Sequence, residues 1–120
     1  MVMRFLRFED MKIWKESKIL AYDVYVAFKD CRDYAFRDQI QRAAVSVMNN
    51  IAEGYERGTN NHFINHLKTA KGSCGEVRSM LHLAVMLKYI TQEEFESSLE
   101  RSEEISKMRS GFIKQLQESK

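Results

Sequence analysis

FINHLKTAKGSCGEVRSMLHLA, residues 63–84, is the stretch that decides the fold. Phe63, Leu67, Ala70, Cys74, Val77, Leu81 and Ala84 recur in it at alternating steps of four and three. That spacing draws one apolar stripe along an α-helix, where a half-buried strand would alternate every second residue. It predicts a helix over about residues 61–88, on the order of 40 Å long at ~1.5 Å per residue. A heptad sustained over this length packs on its neighbours at a shallow angle, as in a helix bundle.

The flanks repeat the pattern. Upstream, Phe36, Ile40, Ala43, Ala44, Val47, Ile51 and Tyr55 give a second helix over about 35–57. Gly58 follows where a left-handed C-terminal residue belongs, and Thr59 or Asn60 can cap the next helix. So short a reversal makes helices two and three antiparallel neighbours. The first helix is expected over about 10–30, with Ile13, Trp14, Leu20, Ala21, Val24, Tyr25 and Phe28 buried, and Asp33 is the expected N-cap of the second. Downstream, Thr91 and Glu94 have the three-residue spacing of a capping box. They open a fourth helix to about 117 that buries Phe95, Leu99, Ile105, Met108, Phe112 and Leu116. Proline is absent and glycines number five, too few turn residues for a sheet protein of 120 residues. The reading is all-α: one antiparallel up-down four-helix bundle over residues 1–120.

Composition bounds the function more than it assigns one. The chain is 44% apolar and 30% charged, the profile of a soluble domain. No run of eighteen apolar residues could cross a membrane, and the N-terminus has no extended apolar stretch of a secretory signal. Two cysteines, Cys31 and Cys74, are too few for a disulfide framework, so a reducing, cytoplasmic setting is expected. The net charge of +2 is too small to argue for nucleic acid by itself. It is also unevenly spread: residues 1–90 carry fourteen bases against ten acids, residues 91–120 five against seven.

The candidate chemistry is thin. His62 and His66 share a helix face at i, i+4, but no HExxH pattern or further ligand accompanies them, so two solvent-facing histidines are expected and no metal. Cys74 sits on the core stripe, where a thiol acts as a small hydrophobe, and nothing around Ser73 builds a nucleophile elbow. No catalytic residue, cofactor or enzymatic activity is expected. Gly72 and Gly75 lie inside the third helix at a cost of about 1 kcal/mol each, and close approach of the second helix would explain them. Antiparallel pairing sets Gly72 and Ser73 level with Ala44, Val45 and Ser46, with Ala43 and Gly54 further close-packing positions and Arg42 level with Glu76. Arg42, Ser46, Asn50, Glu53, Arg57, Ser73 and Glu76 then fall near one seam, either a polar groove or ordinary inter-helix salt bridging. Tyr22, Val26, Met80, Leu83, Met86 and Leu87 lie off the tightest stripes of their helices, so an oligomer interface is expected there.

QIQRAAVSVMNNIAEGYERG, residues 39–58, resembles the signature of the four-helix-bundle proteins encoded in 23S rRNA intervening sequences, also called S23 ribosomal protein-like. Gln39, Arg42, Ala43, Ala44, Ser46, Asn50, Ile51, Ala52, Glu53, Gly54 and Arg57 match its Q-x-x-RAA-x-S-x-x-x-NIAEG-x-x-R run. Phe8, Glu9, Asp10 and Trp14 resemble the family's opening, and Ala70, Gly72, Ser73 and Glu76 its third-helix A-x-GS-x-x-E motif. Many relatives carry a proline where this chain has Val47-Met48-Asn49, so a straighter second helix is expected. The resemblance implies a ring-shaped homopentamer. One branch, the accessory proteins of diversity-generating retroelements, binds a reverse transcriptase and nucleic acid through a strongly basic barrel, which +2 per subunit does not match. The expectation is a non-enzymatic oligomeric module contacting RNA or a nucleic-acid-processing protein; the alternative is a structural, partner-binding homopentamer with no nucleic-acid role.

Overall fold

The computed structural model describes residues 7–118, which form a short 3-10 turn and four α-helices, with no strand among them. The turn spans Phe8–Asp10; α1 is Lys12–Ala27, α2 Tyr34–Glu56, α3 Asn60–Met86 and α4 Gln92–Glu118. Each helix packs on the next and α4 returns to α1, leaving α1/α3 and α2/α4 as diagonals without close backbone approach. The molecule measures 47 × 20 × 20 Å, about one helix long and two helices wide.

The helix boundaries have local causes. Asp33 caps α2 by accepting from the Phe36 amide at 3.2 Å, and Thr59 caps α3 by accepting from the His62 amide at 3.2 Å. The Thr91–Glu94 box closes in both directions: Thr91 Oγ1 accepts from the Glu94 amide at 3.0 Å, and Glu94 Oε1 from the Thr91 amide at 2.9 Å. Gly58 takes a φ of 85°, the left-handed conformation a C-terminal glycine supplies. Three ends differ from expectation. Asp10 belongs to the 3-10 turn, so α1 begins at Lys12 and stops at Ala27 rather than near residue 30. α3 ends at Met86, two residues early, because Lys88 turns left-handed at φ 62°. The Tyr89 amide then reaches the Ala84 carbonyl at 2.9 Å and the Lys88 amide that of Val85 at 3.1 Å, a Schellman closure without glycine.

All seven stripe residues of α3 are buried. Leu20 and Val24 of α1, Phe28 just after it, Ile40, Ala44, Val47 and Ile51 of α2, and Phe95, Ile105 and Leu116 of α4 are buried in the same core. Ser17, Ser98 and Ser102 are buried as well, a feature that apolar periodicity cannot show. Ser17 donates to the Ile13 carbonyl and Ser102 to that of Leu99, both at 2.7 Å, so the hydroxyls need no outside partner and these small residues fill positions in the core. Arg101 of α4 reaches Glu16 at 2.6 Å and Asp23 at 3.4 Å, tying α4 to α1. Tyr25, expected in the core of α1, is instead exposed. Its position lies at the edge of the α1 stripe, where it lines a groove with residues of α2.

Candidate functional site

The polar residues of α2 and α3 meet along one seam. Steps of four, four, three and four put Arg42, Ser46, Asn50, Glu53 and Arg57 along one side of α2. Gln39 Nε2 donates to Glu76 Oε2 at 3.0 Å, and the Ser46 and Ser73 hydroxyls share a hydrogen bond at 2.8 Å. Asn50 Nδ2 donates to the Ser46 carbonyl at 2.9 Å and to its hydroxyl at 3.1 Å. That leaves Asn50 Oδ1 facing His66 Nδ1 at 3.0 Å. An amide oxygen only accepts, so the contact requires the imidazole proton on Nδ1. His66 Nε2 lies 3.7 Å from Glu53 Oε2, an oxygen that also takes Arg57 Nη2 at 3.1 Å.

The seam is therefore knit mainly by neutral hydrogen bonds. Glu76 is taken by Gln39 rather than by Arg42, with which register had set it level. Arg42, Ser46, Asn50 and Glu53 line an open groove of about 460 Å³ together with Val45, Asn49 and Tyr25. Ser73 and Glu76 form the α3 bank of the seam, and Arg57 ends it.

Close packing falls on a different glycine from the pair singled out in α3. A Cβ placed on Gly54 would stand 2.6 Å from His66 Cβ and 3.1 Å from Phe63 Cδ1, so only glycine admits α3 here. A Cβ on Gly72 or Gly75 would meet nothing within 4 Å. The expected close approach at Gly72 and Gly75 is thus corrected: these positions look away from α2, and the level crossing is made by Ser73 against Ser46. Ala43 and Ala44 are buried in the core. His66, expected to face solvent, is largely covered, while His62 is exposed and paired through Nδ1 with Thr59 at 2.9 Å. Its presence opposite a glycine twelve residues earlier was the missed signal.

Cys74 is buried, with its thiol 3.4 Å from the Ser102 carbonyl. Burial pushes its pKa up, and a thiol held protonated at neutral pH is a poor nucleophile. Among the described residues no three His, Cys, Asp or Glu side chains converge as a metal site would require. No helix among them is long and apolar enough to cross a membrane.

Exposed apolar surface is the other marked feature. Tyr22 is 68% exposed and Met86 77%, and Val26, Leu83 and Leu87 are each close to half exposed. Met80, expected among them, is half-buried and packs on the core. All five lie near one end of the molecule. The loops after α1 and α3 meet there, where the Tyr89 hydroxyl donates to Asp33 Oδ2 at 2.8 Å and the Tyr89 ring packs edge-on against Phe36.

This four-helix arrangement, with its NIAEG run built around Gly54, can be set beside known proteins. The family model of the 23S rRNA-intervening sequence protein matches residues 9–111. The chain belongs to that family. A solved relative is similar throughout: the crystal structure of a protein with unknown function from the S23 ribosomal protein family of Bacteroides thetaiotaomicron VPI-5482. It is 28% identical, with a TM-score of 0.80, and the match covers 85% of this chain and 98% of the other. No curated protein matches.

Proposed function

We propose that this 23S rRNA-intervening sequence protein is a non-enzymatic, self-associating module, an antiparallel up-down bundle that closes into a ring of five copies in the cytoplasm. The observation that carries the reading is the exposed apolar surface of Tyr22 and Val26 on α1 and of Leu83, Met86 and Leu87 at the end of α3. A monomer in water seldom leaves so many large apolar side chains exposed, and association removes them from solvent. The antiparallel course is supported by pairings that descend in α3 as they ascend in α2: Gln39 with Glu76, Ser46 with Ser73, Asn50 with His66. The number five rests on the family resemblance. The expected partner is RNA or a nucleic-acid-processing protein, with Arg42 and the polar groove beside it as the contact surface.

One observation favours a second reading, a partner-binding pentamer with no nucleic-acid role. α4 carries seven acids against four bases, and Glu93, Glu96, Glu100 and Glu103 are all exposed on it. Two measurements test the readings. Light scattering is expected to give a mass near five times the 14.1 kDa of one chain, and a monomer at micromolar concentration would overturn self-association. A gel shift with structured RNA at two ionic strengths is expected to show binding that weakens steeply with salt. No shift at low salt would leave the second reading.

A further inference from the structure

We infer that the groove between α1 and α2 holds an unpaired nucleotide of single-stranded RNA, its base stacked on Tyr25 and its phosphate held by Arg42. The inference rests on the RNA-contacting reading proposed above and names the form of RNA that the groove takes.

The residues of the groove divide into those already engaged and those that are not. The Ser46 hydroxyl is shared with Ser73 and Asn50, Asn50 also faces His66, and Glu53 is paired with Arg57. Arg42, Asn49 and Tyr25 line the same groove with no hydrogen bond, ion pair or ring contact among the described residues. All three are exposed. Arg42 and Asn49 lie on one side of α2, about 10 Å apart along its axis at ~1.5 Å per residue. Val45, between them, adds apolar lining, and Tyr25 comes from α1.

These free groups have the chemistry of a nucleotide site. An unengaged guanidinium forks onto a phosphate. An aromatic ring stacks on any nucleobase, since every base has a π-face. The Asn49 amide offers both a donor and an acceptor to a base edge. Arg57 balances the charge of Glu53, so Arg42 is the uncompensated charge of the groove. Its volume of about 460 Å³ suits a small ligand, for which clefts run to about 300–1,000 Å³. In a duplex each base is stacked between its neighbours, so the Tyr25 ring can reach only an unpaired one.

The other exposed tyrosines lack this setting. The Tyr34 ring is already covered by the Arg37 guanidinium, 4.8 Å from its centroid. Tyr22 stands beside Asp23, Glu93 and Glu94, which repel a phosphate. Tyr25 alone of the three shares a groove with a free base.

The test follows fluorescence anisotropy of the full-length protein with labelled oligouridylate, and with the same strand paired to oligoadenylate. At physiological ionic strength the single strand is expected to bind more tightly than the duplex. Uridine monophosphate at the same nucleotide concentration is expected not to displace it. Tyr25→Ala should weaken binding at least about fivefold, the lower end of what one stacked base contributes. Tyr25→Phe, which keeps the ring, should bind as the parent does. Arg42→Gln should lower the slope of log affinity against log salt by about 0.7, the loss of one phosphate contact on a single strand. Circular dichroism should show all three variants as helical as the parent. A duplex bound as tightly as the single strand, parent affinity in Tyr25→Ala, equal losses in Tyr25→Ala and Tyr25→Phe, or an unchanged slope in Arg42→Gln would each overturn the inference while RNA binding stands. Displacement by uridine monophosphate would make a free nucleotide the occupant and overturn it too. Binding of neither RNA would overturn the RNA-contacting reading, and the inference with it.

Discussion

Gly54→Ala adds a single methyl group at the tightest crossing of α2 and α3. Ordinary carbon contacts begin near 3.4 Å, whereas the new Cβ would lie 2.6 Å from His66 Cβ. His66 Cβ is fixed to its backbone, so no rotamer change relieves the clash and the helices must part by roughly 1 Å, the difference between those two distances. Overpacking of this kind costs about 1–3 kcal/mol. Replacing glycine by alanine in a helix interior returns about 1 kcal/mol. The net expectation is a destabilisation of up to about 2 kcal/mol, or a drop in Tm of up to about 8 °C for a domain of this size. Parting the helices would also stretch the 3.0 Å contact between Asn50 and His66. Thermal and urea unfolding should be followed at one fixed protein concentration, because self-association makes Tm depend on it. Gly111→Ala is the paired control, since a Cβ there meets nothing within 4 Å and only the propensity gain remains. A Gly54→Ala protein that gains as much stability as Gly111→Ala would refute the reasoning.

Gly72→Ala should raise the stability of the bundle by up to about 1 kcal/mol in urea unfolding, because its Cβ would enter open space; a loss would mean that a surface does cover it. Thr91→Ala removes the hydroxyl that caps α4 and should cost about 1 kcal/mol, measured by the same unfolding curves. The Cys74 thiol is raised above its ordinary 9.0 by burial, so the native state holds this proton to higher pH than the unfolded chain does. Its contribution to stability is therefore complete below the unfolded pKa and is lost as pH rises through the folded one. Cys74→Ala should flatten the alkaline side of the stability–pH curve relative to the parent, and an unchanged slope would count against this. A thiol reagent should modify partly exposed Cys31 well before Cys74, whose modification waits on unfolding.

What the sequence determined by itself is what local rules govern. The existence of four helices follows from apolar spacing, because positions three and four apart share a helix face whatever stands opposite. The caps at Asp33, Thr59 and Thr91 were legible for the same reason: each is satisfied within three residues of its own position. Gly58 was legible because a left-handed turn favours a residue without a side chain. The tertiary structure alone decided which way each helix is rotated against its neighbours, since periodicity gives a residue's angle around its own axis and nothing about what it faces. Hence Gly72 and Gly54, alike on paper, part company, and only Gly54 meets a neighbour. Hence also His66 is covered while His62 is not, and Glu76 takes Gln39 in place of Arg42. The early stop of α3 at Lys88 carried no glycine or asparagine to announce it. Likewise, residues more than fifty positions apart, Tyr22 and Met86, come to stand at one end because the loops after α1 and α3 are joined through Asp33 and Tyr89. That shared end is a property of the packed bundle, in which the helix order brings distant segments to one height.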